Sequence, residues 1–329
     1  MDQGIPMVEI WRGDRLESLH CGHAVIARAN GEIVEAWGAP DEVIFPRSAC
    51  KMIQALPLLR SGAARAAGLG SAHLALACAS HQGARLHHAK VSAWLAARGL
   101  SETDLRCGCQ TPSDSAERDD LIRARRAPTQ THNNCSGKHA GFLTLAQHLK
   151  AGPEYIEIDH PVQRAAREAM QEVTGAACAE WAIDGCSAPS FATPLSGLAR
   201  AMARFAAARA EDNATASAMV ALREAMMAHP ELVAGETRAC TELMRAVPGV
   251  ALKTGAEGVF TAILPSRGLG IALKITDGTT RAAEAVITRL LIRAGALDPA
   301  HPAALTRLGP IRNWRGLETG RIAAASTLD

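Results

Sequence analysis

The chain has 329 residues, 48% of them hydrophobic and 21% charged, with 35 basic against 33 acidic side chains. That length can bury a sizeable core, and the composition is that of an ordinary globular protein. Only Arg123, Arg125 and Arg126 cluster, next to Pro128, and they read as a solvated loop, so nothing forms an electrostatic footprint for nucleic acid or an acidic membrane. No apolar run approaches the roughly 20 residues of a membrane span, and residues 1–9 lack the basic-then-apolar pattern of a signal peptide. The nine cysteines are odd in number and scattered, which fits a reducing cytoplasm better than a disulfide framework.

In chain order, Met7 to Trp11 alternates as a strand, and Ala24–Ala27 and Glu32–Trp37 flank Asn30-Gly31, a two-residue hairpin signal. A helix is predicted from about Ser48 to Leu59, where Met52, Ile53, Leu56 and Leu59 share one face, although Pro57 marks a kink or an end. Further helices are predicted over Leu86–Arg98, Lys138–Lys150, Pro161–Val173, Pro194–Ala208 and Ala214–Ala228. Three short strands follow, Val250–Lys253, Gly258–Leu264 and Gly268–Ile275, then a helix over Arg281–Ala294 and an extended tail. Strands at both ends with helices between predict an α/β fold. One antiparallel sheet is built from the two chain ends, with helices on its faces and a helical lobe, as a single domain over residues 1–329.

The most informative segment is Phe45-Pro-Arg-Ser-Ala-Cys-Lys-Met-Ile-Gln54, in which Ser48 and Lys51 are three apart at a predicted helix start. Such neighbours share a helix face. A serine hydroxyl becomes a useful nucleophile when a base takes its proton, and a lysine can be that base where burial and nearby positive charge favour the neutral amine. Alone, the pattern equally describes a capping serine with a solvated lysine. Serine β-lactamases and penicillin-binding proteins, however, combine S-x-x-K with S-D-N and a late K-T-G on a strand. Here Lys253-Thr254-Gly255 follows the predicted strand, and Ser80-His81-Gln82 takes the position of S-D-N without its residues.

A second constellation is His132-Asn-Asn-Cys-Ser-Gly-Lys-His139, opening a helix, with Asp184-Gly-Cys-Ser-Ala-Pro189 later. A small polar loop leading into a helix exposes backbone N–H groups to an anion or carboxylate. Cys135 and Lys138 face one way, with His139 beside them, and with Cys186 could offer thiolates to zinc. The spacing itself argues weakly for metal, because no paired C-x-x-C exists and lysine is a rare ligand.

Together PRSACKMIQ, ASHQG, HNNCSGKHAGFL, the HPVQ of residues 160–163, DGCSAP and KTGAEGVF resemble the Rhizobium-type, or class 3, L-asparaginases of the asparaginase II family. The motifs run from Pro46 to the late strands, in the family's order. The resemblance implies a fold similar to serine β-lactamases and glutaminases, a cytoplasmic homodimer, and hydrolysis of L-asparagine to aspartate and ammonia. It implies two serine–lysine pairs, Ser48 with Lys51 and Ser80 with Lys253, and one zinc per chain on Cys135, Lys138, Cys186 and water. It places Arg47, Asn133, His139 and Asp184 along the substrate pocket. Either Ser48 or, in an alternative assignment, Ser80 attacks the amide. One departure is Cys109-Gln-Thr-Pro112, where a histidine is expected before the proline. The rival readings are a glutaminase, a β-lactamase or related serine–lysine amidase, and a non-catalytic zinc-binding homologue.

Overall fold

The Asn30-Gly31 turn closes as expected: Gly31 takes φ +95°, a conformation glycine adopts without steric cost, and joins the strands Arg15–Arg28 and Ile33–Trp37. The computed structural model describes residues 3–328 and divides into two compact units. One comprises the chain up to Ala49, Thr193–Ala207 and everything from Glu242 onward.

That unit carries an eight-stranded sheet. Its order runs Pro310–Arg312, Glu318–Ala324, Ile5–Arg12, Arg15–Arg28, Leu269–Ile275, Val259–Leu264 and Ala251–Thr254, with Ile33–Trp37 pairing beside Arg15–Arg28. Every pair is antiparallel. The α/β expectation, with one sheet drawn from both chain ends, therefore holds. The tail read as merely extended is in fact two of the strands, with Val8 opposite Ala324 and Ile10 opposite Ile322. In Leu269–Ile275 both alternating sets of side chains are buried, so the strand is covered on both faces. Gly270 lets the helix Leu195–Ala207 pack directly on the strand: a Cβ there would lie 2.1 Å from Ala203 N and 2.2 Å from Ala199 O.

The second unit, Cys50–Ala192 with Ala208–Thr241, is mainly helical. At its centre runs the helix Ser136–His148, buried without a break from Ser136 to Ala146. A helix apolar on nearly all sides belongs to a core. Gly137 brings it against the helix Ser71–Ala77, because a Cβ would stand 2.3 Å from Leu76 O. Trp94, on the helix Arg85–Ala97, donates its indole N–H to Thr144 Oγ1 at 3.1 Å and fixes a third helix to the same axis.

The single helix expected from Ser48 to Leu59 is three pieces: a 3-10 turn Arg47–Cys50, a helical turn Lys51–Gln54 and a short helix Leu56–Arg60. Pro57 explains the last break. It occupies the first turn of Leu56–Arg60, where its missing N–H needs no intrahelical partner. Among the described residues, no helix is long and apolar enough to cross a membrane.

Candidate active site

Lys51 opens its helical turn with a side chain only 1% exposed. Its Nζ donates to Ala79 O at 2.5 Å and lies 2.8 Å from Ser80 Oγ and 3.1 Å from Cys135 Sγ. Three hydrogen-bonding partners make burial of this polar group tolerable. Ser80 is placed by backbone bonds on both sides of it: its own N–H donates to Val233 O at 2.8 Å, and His81 N–H to Asn134 O at 3.1 Å. The resemblance pairs Lys51 with Ser48, whereas the hydrogen bond observed for Lys51 runs to Ser80.

Cys135 caps the helix Ser136–His148 and is buried, so Lys138 and His139 lie in its first turn. Asn133 holds the approach to this turn. Its amide donates to Cys107 O at 2.8 Å and Gly108 O at 3.1 Å, and its Oδ1 accepts from Cys135 N at 2.8 Å. Asn133 thereby fixes the Cys107–Gly108 loop to the helix start, and most of its hydrogen-bonding capacity is already used.

Cys186 comes from the turn between the paired strands Trp181–Ile183 and Pro189–Phe191. In that turn Ser187 takes φ +69° and Asp184 Oδ1 accepts from Gly185 N at 2.7 Å. Lys138 Nζ donates to Cys186 Sγ at 3.1 Å. The Cys135 thiol, hydrogen-bonded to Cys186, holds the latter's pKa well below its usual value, burial opposes this, and Lys138 adds to it. The same thiol–thiolate bond raises Cys135, with burial acting in the same direction. Burial disfavours the charge of Lys138, but Cys186 and Cys135 outweigh it and raise its pKa, with Asp184 contributing.

His139 is fully buried, which lowers its pKa and keeps the ring neutral. Its Nδ1 meets Tyr155 Oη at 2.8 Å, and that oxygen already accepts from Arg106 N at 2.8 Å. The phenol hydrogen is thus free to point at Nδ1, which leaves the ring proton on Nε2. Nε2 has no hydrogen-bond partner among the described residues, and His139 favours the anionic form of Cys186. Tyr155, the chain's sole tyrosine, was not singled out from the sequence, and that uniqueness was its only signal.

In the sheet-bearing unit, Ser48 lies half-buried in the 3-10 turn Arg47–Cys50, preceded by Arg47 at φ +51°. A non-glycine residue in that region carries backbone strain. Lys253, 1% exposed on the strand Ala251–Thr254, donates to Thr254 O at 2.8 Å. The K-T-G strand and the serine turn pack closely. A Cβ on Gly255 would lie 2.7 Å from Pro46 O, and the Thr261 hydroxyl donates to Ala49 O at 3.0 Å. The two units hold the predicted residues as two sets: Arg47, Ser48 and Lys253 in one, and Lys51, Ser80, Asn133, Cys135, Lys138, His139, Asp184 and Cys186 in the other.

The donor set of the second group suits zinc. Two cysteine sulfurs and an amine are present, the amine 3.1 Å from the Cys186 sulfur, and thiolate ligands favour this ion. Binding would require Lys138 and Cys135 to release their protons.

Residues 8–324 match the family described as L-asparaginase II. No curated relative matches the chain. Among solved structures, one of Mglu is similar at 15% identity, covering 84% of this chain and 67% of that one, with a TM-score of 0.49. A β-lactamase from Mycobacterium bovis is similar at 12% identity, covering 84% of this chain and 95% of that one, with a TM-score of 0.35.

Proposed function

Because the chain belongs to the L-asparaginase II family, we propose that it hydrolyses the side-chain amide of L-asparagine to L-aspartate and ammonia. The observation that carries the chemistry is the buried Lys51 Nζ 2.8 Å from Ser80 Oγ. A serine hydroxyl attacks the amide carbon and its proton passes to the neutral Lys51 amine. The C–N bond then breaks with a proton delivered to the leaving nitrogen, giving ammonia and an aspartyl ester. Water cleaves that ester by the reverse use of the same base, releasing aspartate and restoring the serine. In the assignment taken from the family pattern Ser48 attacks, with Ser80 and Lys253 completing the proton relay. In the alternative, Ser80 itself attacks. Arg47 offers a planar fork to the substrate carboxylate, and Asp184 a counter-charge to its ammonium.

Cys135, Lys138 and Cys186 would hold one zinc ion, with His139 favouring the anionic Cys186 sulfur. When bound, the ion supplies a Lewis acid that orients a polar substrate group.

The test is ammonia release from L-asparagine and L-glutamine side by side. Asparagine is expected to be the better substrate by roughly 10–200-fold in kcat/KM, the discrimination available from one methylene. Equal rates, or faster turnover of glutamine, would make the chain a glutaminase. No ammonia from either would leave a non-catalytic homologue.

A further inference from the structure

Three side chains outside the site above converge from separate elements of the helical unit. His88 lies on the helix Arg85–Ala97, Glu117 on the helix Ser115–Arg123, and His132 at the end of the 3-10 turn Gln130–His132. Glu117 and His132 are 6% and 5% exposed, and His88 is 26% exposed. Glu117 Oε1 stands 3.4 Å from His88 Nε2 and 3.4 Å from His132 Nε2, and the three ligand atoms lie within 4.8 Å of one another. The imidazoles face each other at 4.5 Å between centroids, tilted by 31°.

These separations are long for an imidazole N–H bonded to a carboxylate, about 2.7–2.9 Å when charge-assisted. They match the edge of a metal site: ligands about 2.0–2.1 Å from a tetrahedral zinc are roughly 3.4 Å apart. We propose that His88, Glu117 and His132 form a binding site for a divalent transition-metal ion, zinc by the chemistry of its donors. The site shares no ligand with Cys135, Lys138 and Cys186. The partial exposure of His88 leaves an open side for water as a fourth ligand.

The surroundings of the second histidine fit, at one adjustment. His132 Nδ1 lies 2.9 Å from Thr129 Oγ1 and 3.0 Å from Thr129 N. Metal on Nε2 requires the proton on Nδ1, where Thr129 Oγ1 accepts it, and the backbone N–H must then yield. A metal-bound histidine usually donates its other ring N–H to an outer acceptor that fixes the tautomer, a part the Thr129 hydroxyl can take. The Arg126 charge acts on His88 and opposes a cation, while the Glu117 carboxylate offsets it. The ion would clamp two helices to the turn that runs directly into Asn133, Asn134 and Cys135. Its role is therefore to hold that segment in place, with no bond to substrate.

The experiment loads the full chain, stripped with chelator, with Co²⁺ and reads two signals. Total cobalt by mass spectrometry counts every ion. The near-ultraviolet charge-transfer band counts only cobalt on thiolate, which two imidazoles and a carboxylate cannot give. Total cobalt is expected to exceed thiolate-bound cobalt by one equivalent. Glu117→Gln and, as a milder change at a half-exposed position, His88→Ala should each weaken that equivalent at least tenfold with the charge-transfer band unchanged. No cobalt beyond the thiolate-bound ion, or an extra equivalent indifferent to both substitutions, would overturn the site.

Discussion

Replacing Gly137 with alanine probes whether the close approach of two helices sets the position of the reactive groups. In an ordinary helix this change is favourable by about 0.5–1 kcal/mol, because glycine loses more backbone freedom on folding. Here the new Cβ would stand 2.3 Å from Leu76 O, 2.8 Å from Leu76 C and 3.1 Å from Leu76 Cβ. Two of those atoms are backbone, so the helices Ser71–Ala77 and Ser136–His148 must separate by about 1 Å to regain van der Waals contact. Overpacking of this kind costs about 1–3 kcal/mol. Set against the propensity gain, the net loss runs from about 0 to about 2.5 kcal/mol, a fall in Tm of up to several degrees at about 2–4 °C per kcal/mol. The displaced carbonyl accepts from Ala79 N at 3.0 Å, and Ala79 O and Ser80 Oγ are both acceptors of Lys51. Activity should therefore fall by more than the stability loss suggests at a temperature where the variant is folded. Calorimetry together with ammonia release at 25 °C reads both. An equal or higher Tm with undiminished kcat would refute the close-packing account.

Lys51→Met keeps volume and removes the base. It should lower kcat by about 10²–10⁴-fold and destabilise the fold by roughly 1–3 kcal/mol, because Ala79 O and Ser80 Oγ lose their buried donor; urea unfolding and steady-state rates check the two separately. Cys186→Ala leaves the Lys138 ammonium buried without its sulfur, a loss of about 3–5 kcal/mol of the kind seen when one partner of a buried ion pair is removed. Cys186→Ala,Lys138→Met should recover much of it, and no recovery would mean that the pairing is not what stabilises the turn. Burial lowers the pKa of His87 and of His139, so the folded chain resists protonation that the unfolded chain accepts near 6.5. Stability is then intact above about pH 6.5 and lost as pH falls through the folded values. The urea midpoint should drop between pH 7.5 and 5, and a flat profile would contradict the burial of neutral rings.

What was legible in the sequence followed local rules. Asn30-Gly31 encodes its own turn, and Ala214–Ala228 forms a helix with the predicted bounds. The long strand Arg15–Arg28 was read only as Ala24–Ala27, because its first half is largely polar and exposed and owes its conformation to pairing with Ile5–Arg12. Likewise Glu318–Ala324 shows little apolar alternation, and its partner lies at the opposite end of the chain. The segmentation after Ser48 hinged on Pro57, which the pattern flagged without locating the break.

The site divides the same way. Residue types and motif order singled out Lys51, Ser80, Cys135, Lys138 and Cys186 as candidates, but hydrogen bonds spanning 29 and 48 positions are set by packing, not by spacing. Asn133 illustrates the gap: nothing in the motif signals that its amide ties the Cys107–Gly108 loop to the helix start. The cluster of His88, Glu117 and His132 carries no sequence signature, since its members arrive from three elements at irregular spacing.

The central claim is covalent catalysis by a serine with Lys51 as its base, and it is tested most directly by acid-quenching the enzyme during turnover of L-asparagine and mapping its peptides by mass. The account predicts an aspartyl ester on a peptide carrying Ser48 or Ser80, lost in Lys51→Met, and the peptide that carries it names the nucleophile. Ammonia released at full rate with no serine ester at any quench time would contradict it.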